Sequence, residues 1–148
     1  MSLQERIQQE IKAAMLARDA DRLSTLRLLK SALGYAQIER KTESLADADV
    51  IALVQKEVKK RRDSAEQYQT GGRPESAEKE LKEITVLETF LPQALTTVEL
   101  EQLVRATIQE AGATNKKDMG AVIKAVQAKA AGRAEGQAIS ALVGRLLP

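Results

Sequence analysis

Apolar residues in this chain recur at steps of three and four almost from end to end, and nowhere do they alternate over a useful window. Steps of three and four keep side chains on one face of an α-helix, whereas a half-buried strand needs a step of two. This pattern predicts an all-α fold with no sheet. Ser2 with Glu5 has the spacing of a capping box, in which the serine accepts from the third helical amide and the glutamate reaches back. Leu3, Ile7, Ile11 and Ala14 follow on one face. Arg18 to Asp21 interrupt that stripe, and Asp19 or Asp21 can cap a second helix carrying Leu23, Leu26, Leu29, Leu33 and Ala36.

After the polar connection Lys41 to Ser44, Asp47 opens a long third helix with the stripe Val50, Val54, Val58, Arg61, Ala65 and Tyr68. Gly71 and Gly72 stop it, and Pro74 suits the first turn of a fourth helix, whose stripe is Ala77, Leu81, Ile84, Leu87 and Leu91. Pro92 ends that helix, and residues 92–96 mark the subdomain boundary. The second capping box, Thr96 with Glu99, starts a fifth helix bearing Leu100, Leu103, Val104, Thr107 and Ile108. Gly112 ends it. Asn115 with Asp118 starts the sixth, with Met119, Val122, Ile123 and Val126, and Gly132 closes it. The seventh begins near Gly136 and presents Ile139, Leu142, Val143 and Leu146. The expectation is an N-terminal four-helix part, residues 1–92, and a C-terminal three-helix part, residues 93–148.

Composition narrows the chemistry. Of 148 residues 43% are hydrophobic, enough for a core, but aromatics make up only 2%, so that core is built from Ala, Leu, Ile and Val. With no Cys, His or Trp, the chain has no disulfides, no thiolate or imidazole metal site, and no histidine- or cysteine-based catalysis. The 23 basic and 21 acidic side chains leave a net charge of +2. Residues 1–92 are neutral; residues 93–148 carry seven cations (Arg105, Lys116, Lys117, Lys124, Lys129, Arg133, Arg145) against five anions, so they hold the surplus. No apolar run approaches the roughly 18 residues of a membrane span, and no signal-peptide core is visible, which points to a cytoplasmic chain without a membrane partner.

Three features invite a functional reading. Lys59 to Arg62 turn through about 300° on a helix, so they cannot form one basic face. Glu57, Asp63 and Glu66 lie within side-chain reach, which favours a solvated, ion-paired helix with Arg61 along the bundle groove over a nucleic-acid or partner patch. The turn Gly132 to Gly136 matches no phosphate-loop motif. Lys116 to Gly120 sit at a helix start, where free amides and the helix dipole favour phosphate, and Gly120 in the first turn calls for close backbone packing or a phosphate contact. Acidic pairs two apart, such as Glu78 and Glu80, point to different sides of a helix and make neither an acid/base pair nor a hard-metal cage.

Five segments resemble the YqeY family in order along the chain: Arg22 to Lys30, Lys56 to Ser64, Leu87 to Pro92, Lys117 to Gly120, and Gly132 to Ala134 with Gly136. That family also resembles the C-terminal tail of the B subunit (GatB) of the glutamyl/aspartyl-tRNA amidotransferase. The resemblance implies two helical parts and a tRNA-engaging C-terminal piece. It also carries an association with carbon–nitrogen ligase activity using glutamine as amido donor. The sequence lacks the kinase-like body, the amidase Ser–Ser–Lys site and metal ligands that would execute such chemistry, so no cofactor and no catalysis by the chain alone are expected. The expected partners are tRNA and an amidotransferase or other translation-linked protein. Lys116, Lys117, Lys124, Lys129 and Arg133 are the candidate tRNA contacts, and changing Lys116, Lys117 and Arg133 together to Ala is expected to weaken tRNA binding while leaving the chain folded. The competing reading is a helical protein–protein interaction module with no RNA partner. Leu142, if buried, is expected to be a core residue of the C-terminal part.

Overall fold

A computed structural model describes all residues, Met1–Pro148, as seven α-helices and no strand. They are α1 (Leu3–Leu16), α2 (Ala20–Arg40), α3 (Asp47–Thr70), α4 (Pro74–Glu88), α5 (Thr97–Ala111), α6 (Met119–Ala130) and α7 (Gly136–Leu146), with one 3-10 turn at Lys116–Asp118. The chain divides into two compact units, Met1–Leu91 and Pro92–Pro148, each with its own core.

Local chemistry sets the helix ends. Ser2 and Thr96 each accept from the amide three residues on, while Glu5 and Glu99 return the bond, so both capping boxes form. Those bonds at Thr96, the backbone one first, hold the Glu99 carboxyl below the ordinary carboxylate range. Asp19 caps α2 by accepting from the Arg22 amide. Ala46, with no side chain to cap, precedes α3; Asp47 is the first helical residue, and its carboxylate accepts from the Leu3 amide at 2.9 Å, tying the starts of α1 and α3 together.

Several expected ends shift. The last turn of α4 does not reach Pro92: the helix stops at Glu88, and Phe90 and Leu91 continue in a tighter turn donating to Leu87 and Glu88 carbonyls. Pro92 therefore opens the second unit. At the end of α3 it is Gly72, φ +73°, that takes the left-handed conformation, while Gly71 stays at φ −82°. At the end of α6 the left-handed residue is Ala131, φ +48°, ahead of Gly132.

The N-terminal core runs through Ile7, Ile11, Leu26, Leu29, Leu33, Val50, Val54, Val58, Ile84 and Leu87. It also takes Leu45 from the α2–α3 connection and Phe90 from the turn after α4. Leu45 is held there by its amide, which donates to Gln4. Leu81, expected in the fourth stripe, is 44% exposed. The reason is the orientation of α4: at 100° per residue, its inner arc runs through Ala77, Ile84 and Leu87 and includes the Glu80 and Glu83 side, which leaves Leu81 at the edge. The C-terminal core consists of Leu100, Val104, Val122, Val126, Ala130, Ile139, Val143 and Leu147. Leu142 is only half-buried, so the α7 stripe runs Ile139, Val143, Leu147 at steps of four.

A carboxyl–guanidinium cluster spans α3 and α4. Arg61 Nε donates to Glu83 at 3.0 Å and its guanidinium lies 3.8 Å from Glu57, with all three side chains largely buried. Glu80 sits beside them. Burial pushes its carboxyl above the ordinary range; the negative charge of Glu83 adds to this, while Arg61 and Lys79 oppose it. A carboxyl whose folded value is raised costs stability once the pH climbs past its unfolded value, and the cost is fully present above the folded value. Glu80→Gln is therefore expected to melt higher than the parent at neutral pH. The advantage should shrink as the pH falls through the carboxylate range, and thermal melts at several pH values check it.

Candidate nucleic-acid interface

The five lysine and arginine candidates lie in the second unit, where α6 and the turns on either side of it position them. Asn115 opens the approach: its side chain accepts from the Lys117 amide at 2.8 Å, fixing the 3-10 turn Lys116–Asp118. Asp118 accepts from the Thr114 amide at 3.2 Å, so the one carboxylate in the turn is engaged with the backbone. Lys116 and Lys117 are exposed and form no ion pair within the chain. Lys124, seven residues beyond Lys117 on α6, is likewise exposed and unpaired.

Gly120 lies between them and is itself exposed. A Cβ added there would meet nothing within 4 Å, so close packing within the chain does not account for this glycine. That corrects the packing expectation. Gly120→Ala is accordingly expected to stabilise the second unit by about 0.5–1 kcal/mol, since alanine is the better helix former and no neighbour has to move. Urea unfolding followed by far-ultraviolet circular dichroism checks this.

The other two candidates are already occupied. Lys129 Nζ pairs with Glu110 at 2.5 Å and reaches Thr107 Oγ1 at 3.4 Å, which ties α6 to α5. Arg133 Nε donates to the Gln93 carbonyl at 2.9 Å, and the Arg133 carbonyl accepts from the Leu95 amide at 2.8 Å. Arg133 thus fastens residues 93–95 to the α6–α7 turn. Replacing its side chain removes the bond to Gln93, while the backbone bond to Leu95 remains.

Sequence reasoning left out Arg145 as a site residue. It is exposed and unpaired, and it follows Gly144, which packs on the Met119 side chain at the start of α6. A Cβ at Gly144 would stand 3.3 Å from the Met119 methyl. The end of α7 therefore lies against the start of α6, and Arg145 is the next residue in sequence to that contact. Its place among the seven cations of this segment was the available signal.

The basic run of α3 behaves differently. Lys60 pairs with Glu57 at 3.4 Å, Arg61 with Glu57 and Glu83, and Arg62 with Glu88 at 3.8 Å. Carboxylates of α3 and α4 answer three of the four charges, with Arg61 in the groove as expected, while Lys59, for which Asp63 was the expected partner, is exposed and in no ion pair. A cleft of about 480 Å³ lies between α2 and α4, lined by Arg22, Lys79 and Lys82 together with five carboxylates, those of Asp19, Asp21, Glu75, Glu78 and Glu83. Arg22 is bonded to Glu10 at 2.9 Å and Lys82 pairs with Glu78 at 3.6 Å, so this acidic cleft disfavours an anion. No three His, Cys, Asp or Glu side chains come together to hold a metal ion, and no helix is long and apolar enough to cross a membrane.

An uncharacterized protein of Schizosaccharomyces pombe is 35% identical over 92 residues, which cover 62% of this chain and 74% of the relative. A Kluyveromyces lactis protein named altered inheritance of mitochondria protein 41, mitochondrial, is 31% identical over 84 residues, covering 57% of this chain and 45% of the relative. The family model described as Yqey-like protein matches residues 4–147, through both helical units and all five candidate cations. With nearly its whole length matched, the chain belongs to the YqeY family.

Proposed function

We propose that the chain is a tRNA-binding accessory module whose contact is to the sugar–phosphate backbone. The observation that supports this reading is the group of unpaired, exposed cations around the start of α6: Lys116, Lys117 and Lys124, with Arg145 next in sequence to the contact between α6 and α7. Cations with no carboxylate partner keep their full attraction for phosphate, and binding releases the counterions condensed on the nucleic acid. The absence of any aromatic residue from residues 93–148 removes base stacking as a recognition mode, which leaves phosphate contacts that do not distinguish sequences. Lys129 and Arg133 contribute less, because Glu110 and Gln93 already hold them.

The resemblance to the amidotransferase tail supports a role beside that enzyme, with any carbon–nitrogen ligase activity residing in the partner. The proposed compartment is the cytoplasm, although the Kluyveromyces lactis relative is mitochondrial by name.

Filter binding with bulk tRNA at a series of salt concentrations tests the proposal. The parent chain is expected to bind different tRNAs about equally and to weaken steeply with salt. Changing Lys116, Lys117 and Lys124 to Ala should reduce the logarithmic salt slope by roughly one unit per lost contact. The variant should keep its fold, since exposed lysines of this kind alter stability by about half a kcal/mol. Salt-insensitive binding by the parent, or an unchanged slope in the triple variant, would overturn the reading.

A further inference from the structure

Helices α6 and α7 hold no aspartate and no glutamate, whereas each of α1 to α5 holds at least two. The two lie side by side in opposite directions. Near the end of α6 the Gln127 amide nitrogen stands 3.6 Å from where a Cβ on Gly136, the first residue of α7, would be. At the other end the Met119 methyl stands 3.3 Å from the same point on Gly144. Away from the core, both helices carry short or cationic side chains: Gly120, Ala121 and Lys124 on α6, with Ala138, Ala141 and Arg145 on α7, all exposed. Asp118, the last carboxylate before α6, accepts from the Thr114 amide at 3.2 Å. Glu110 of α5 pairs with Lys129, about 140° round α6 from Lys124.

We propose that this two-helix face seats on the minor-groove side of a double-stranded RNA stem, its cations meeting the flanking phosphates, which rests on the tRNA reading above and names the part of the RNA that the site takes. Proteins hold single strands by stacking the bases on aromatic rings, and residues 93–148 contain none. A duplex hides its bases and presents a rigid array of phosphates instead. Such an array suits cations fixed on a rigid helix, and Lys124 follows Lys117 by seven residues, about 10 Å along the axis. A-form RNA has a wide, shallow minor groove lined by 2′-hydroxyls. Short side chains let two packed helices, about 8–10 Å apart in general, come down onto that surface. The exposed amide of Gln127 can both donate to and accept from a 2′-hydroxyl there. The minor groove of B-form DNA, about 6 Å wide, is too narrow for the pair. Gly120 agrees with a close approach from outside, since no neighbour within the chain lies within 4 Å of a Cβ at that position.

The experiment is fluorescence anisotropy of the full chain at fixed salt with three labelled probes of one sequence. They are a duplex RNA of about 16 base pairs, the corresponding duplex DNA, and one RNA strand that cannot pair with itself. Duplex RNA is expected to bind at least about tenfold more tightly than either of the others. Ala141→Glu, on the proposed face, and Ala106→Glu, exposed on α5, change the net charge equally. The first should weaken duplex RNA binding by about tenfold, because it sets a carboxylate against phosphate. The second should change it by no more than about twofold, because salt screens a distant charge. Far-ultraviolet circular dichroism should show both variants as helical as the parent. Equal binding of strand and duplex RNA, equal binding of duplex DNA and RNA, or equal losses in the two variants overturns this inference and leaves salt-sensitive tRNA binding standing. If no RNA binds in a salt-sensitive manner, the tRNA reading falls and this inference falls with it.

Discussion

Phe90→Ala is expected to lower the stability of the N-terminal unit by about 3–5 kcal/mol, the range for removing a buried phenyl ring. Phe90 is the chain's one phenylalanine and is 2% exposed, in a core otherwise aliphatic. Its ring belongs to the N-terminal core, and the Arg6 guanidinium of α1 lies 5.1 Å from the ring centroid while donating to the Thr89 carbonyl at 2.8 Å. Truncation opens a cavity and removes the surface on which Arg6 rests, so collapse of the site is opposed by the backbone bond that remains. A domain of this size is ordinarily stable by about 5–15 kcal/mol. The loss therefore consumes a large share of the total. Urea unfolding followed by circular dichroism at 222 nm should show the midpoint falling with little change in slope. A loss under 1 kcal/mol would mean that the ring is replaceable by local repacking.

Ile139→Ala should have its effect in the other unit. Ile139 is 1% exposed and packs among Val104, Val122, Val126 and Val143, with no aromatic ring nearby to close the gap. The expected cost is about 2–5 kcal/mol. Residues 92–148 form a small unit, and small units bury a lesser share of their surface and are marginal by themselves. The same loss that weakens the first unit is then enough to unfold the second. Hydrogen exchange should show residues 92–148 opening first in the variant, with the amides of α1 to α4 keeping their protection. Early opening of α1 to α4 would contradict this. Leu142, half-buried, is the poorer target, and its truncation should cost less.

Much of the architecture was written in local spacing. Both capping boxes, the Asp19 cap and the burial of Ile7, Ile11, Val50, Val54, Val58, Val104 and Val126 all follow from residues no more than four apart. What escaped is whatever depends on partners distant in sequence. Leu45 is a core residue in the connection between α2 and α3, outside any stripe, so no helical step marks it, while Phe90 and Leu147 keep the helical step but lie beyond the ends of α4 and α7. Lys129 and Glu110 are 19 apart, on different helices, and Arg133 and Gln93 are 40 apart. Neither pairing is visible to arithmetic along one helix, although each decides whether a candidate cation is free. Arg61 is the intermediate case. Its place in the apolar stripe of α3 foretold a position in the groove, but its partner Glu83 on α4 had to be seen.

The placement of the aromatic rings in two separately cored units also determines what light can report. Tyr35, Tyr68 and Phe90 all belong to residues 1–91, and the second unit contains none. Tyrosine emission and near-ultraviolet dichroism are therefore signals of the first unit alone, while far-ultraviolet dichroism records the helices of both. A thermal melt followed by tyrosine emission should pass unchanged through the loss of α5 to α7, and the same melt at 222 nm should register it. Recording both in one scan separates the two unfolding steps without any label, and tRNA should move only the step that the tyrosines do not see.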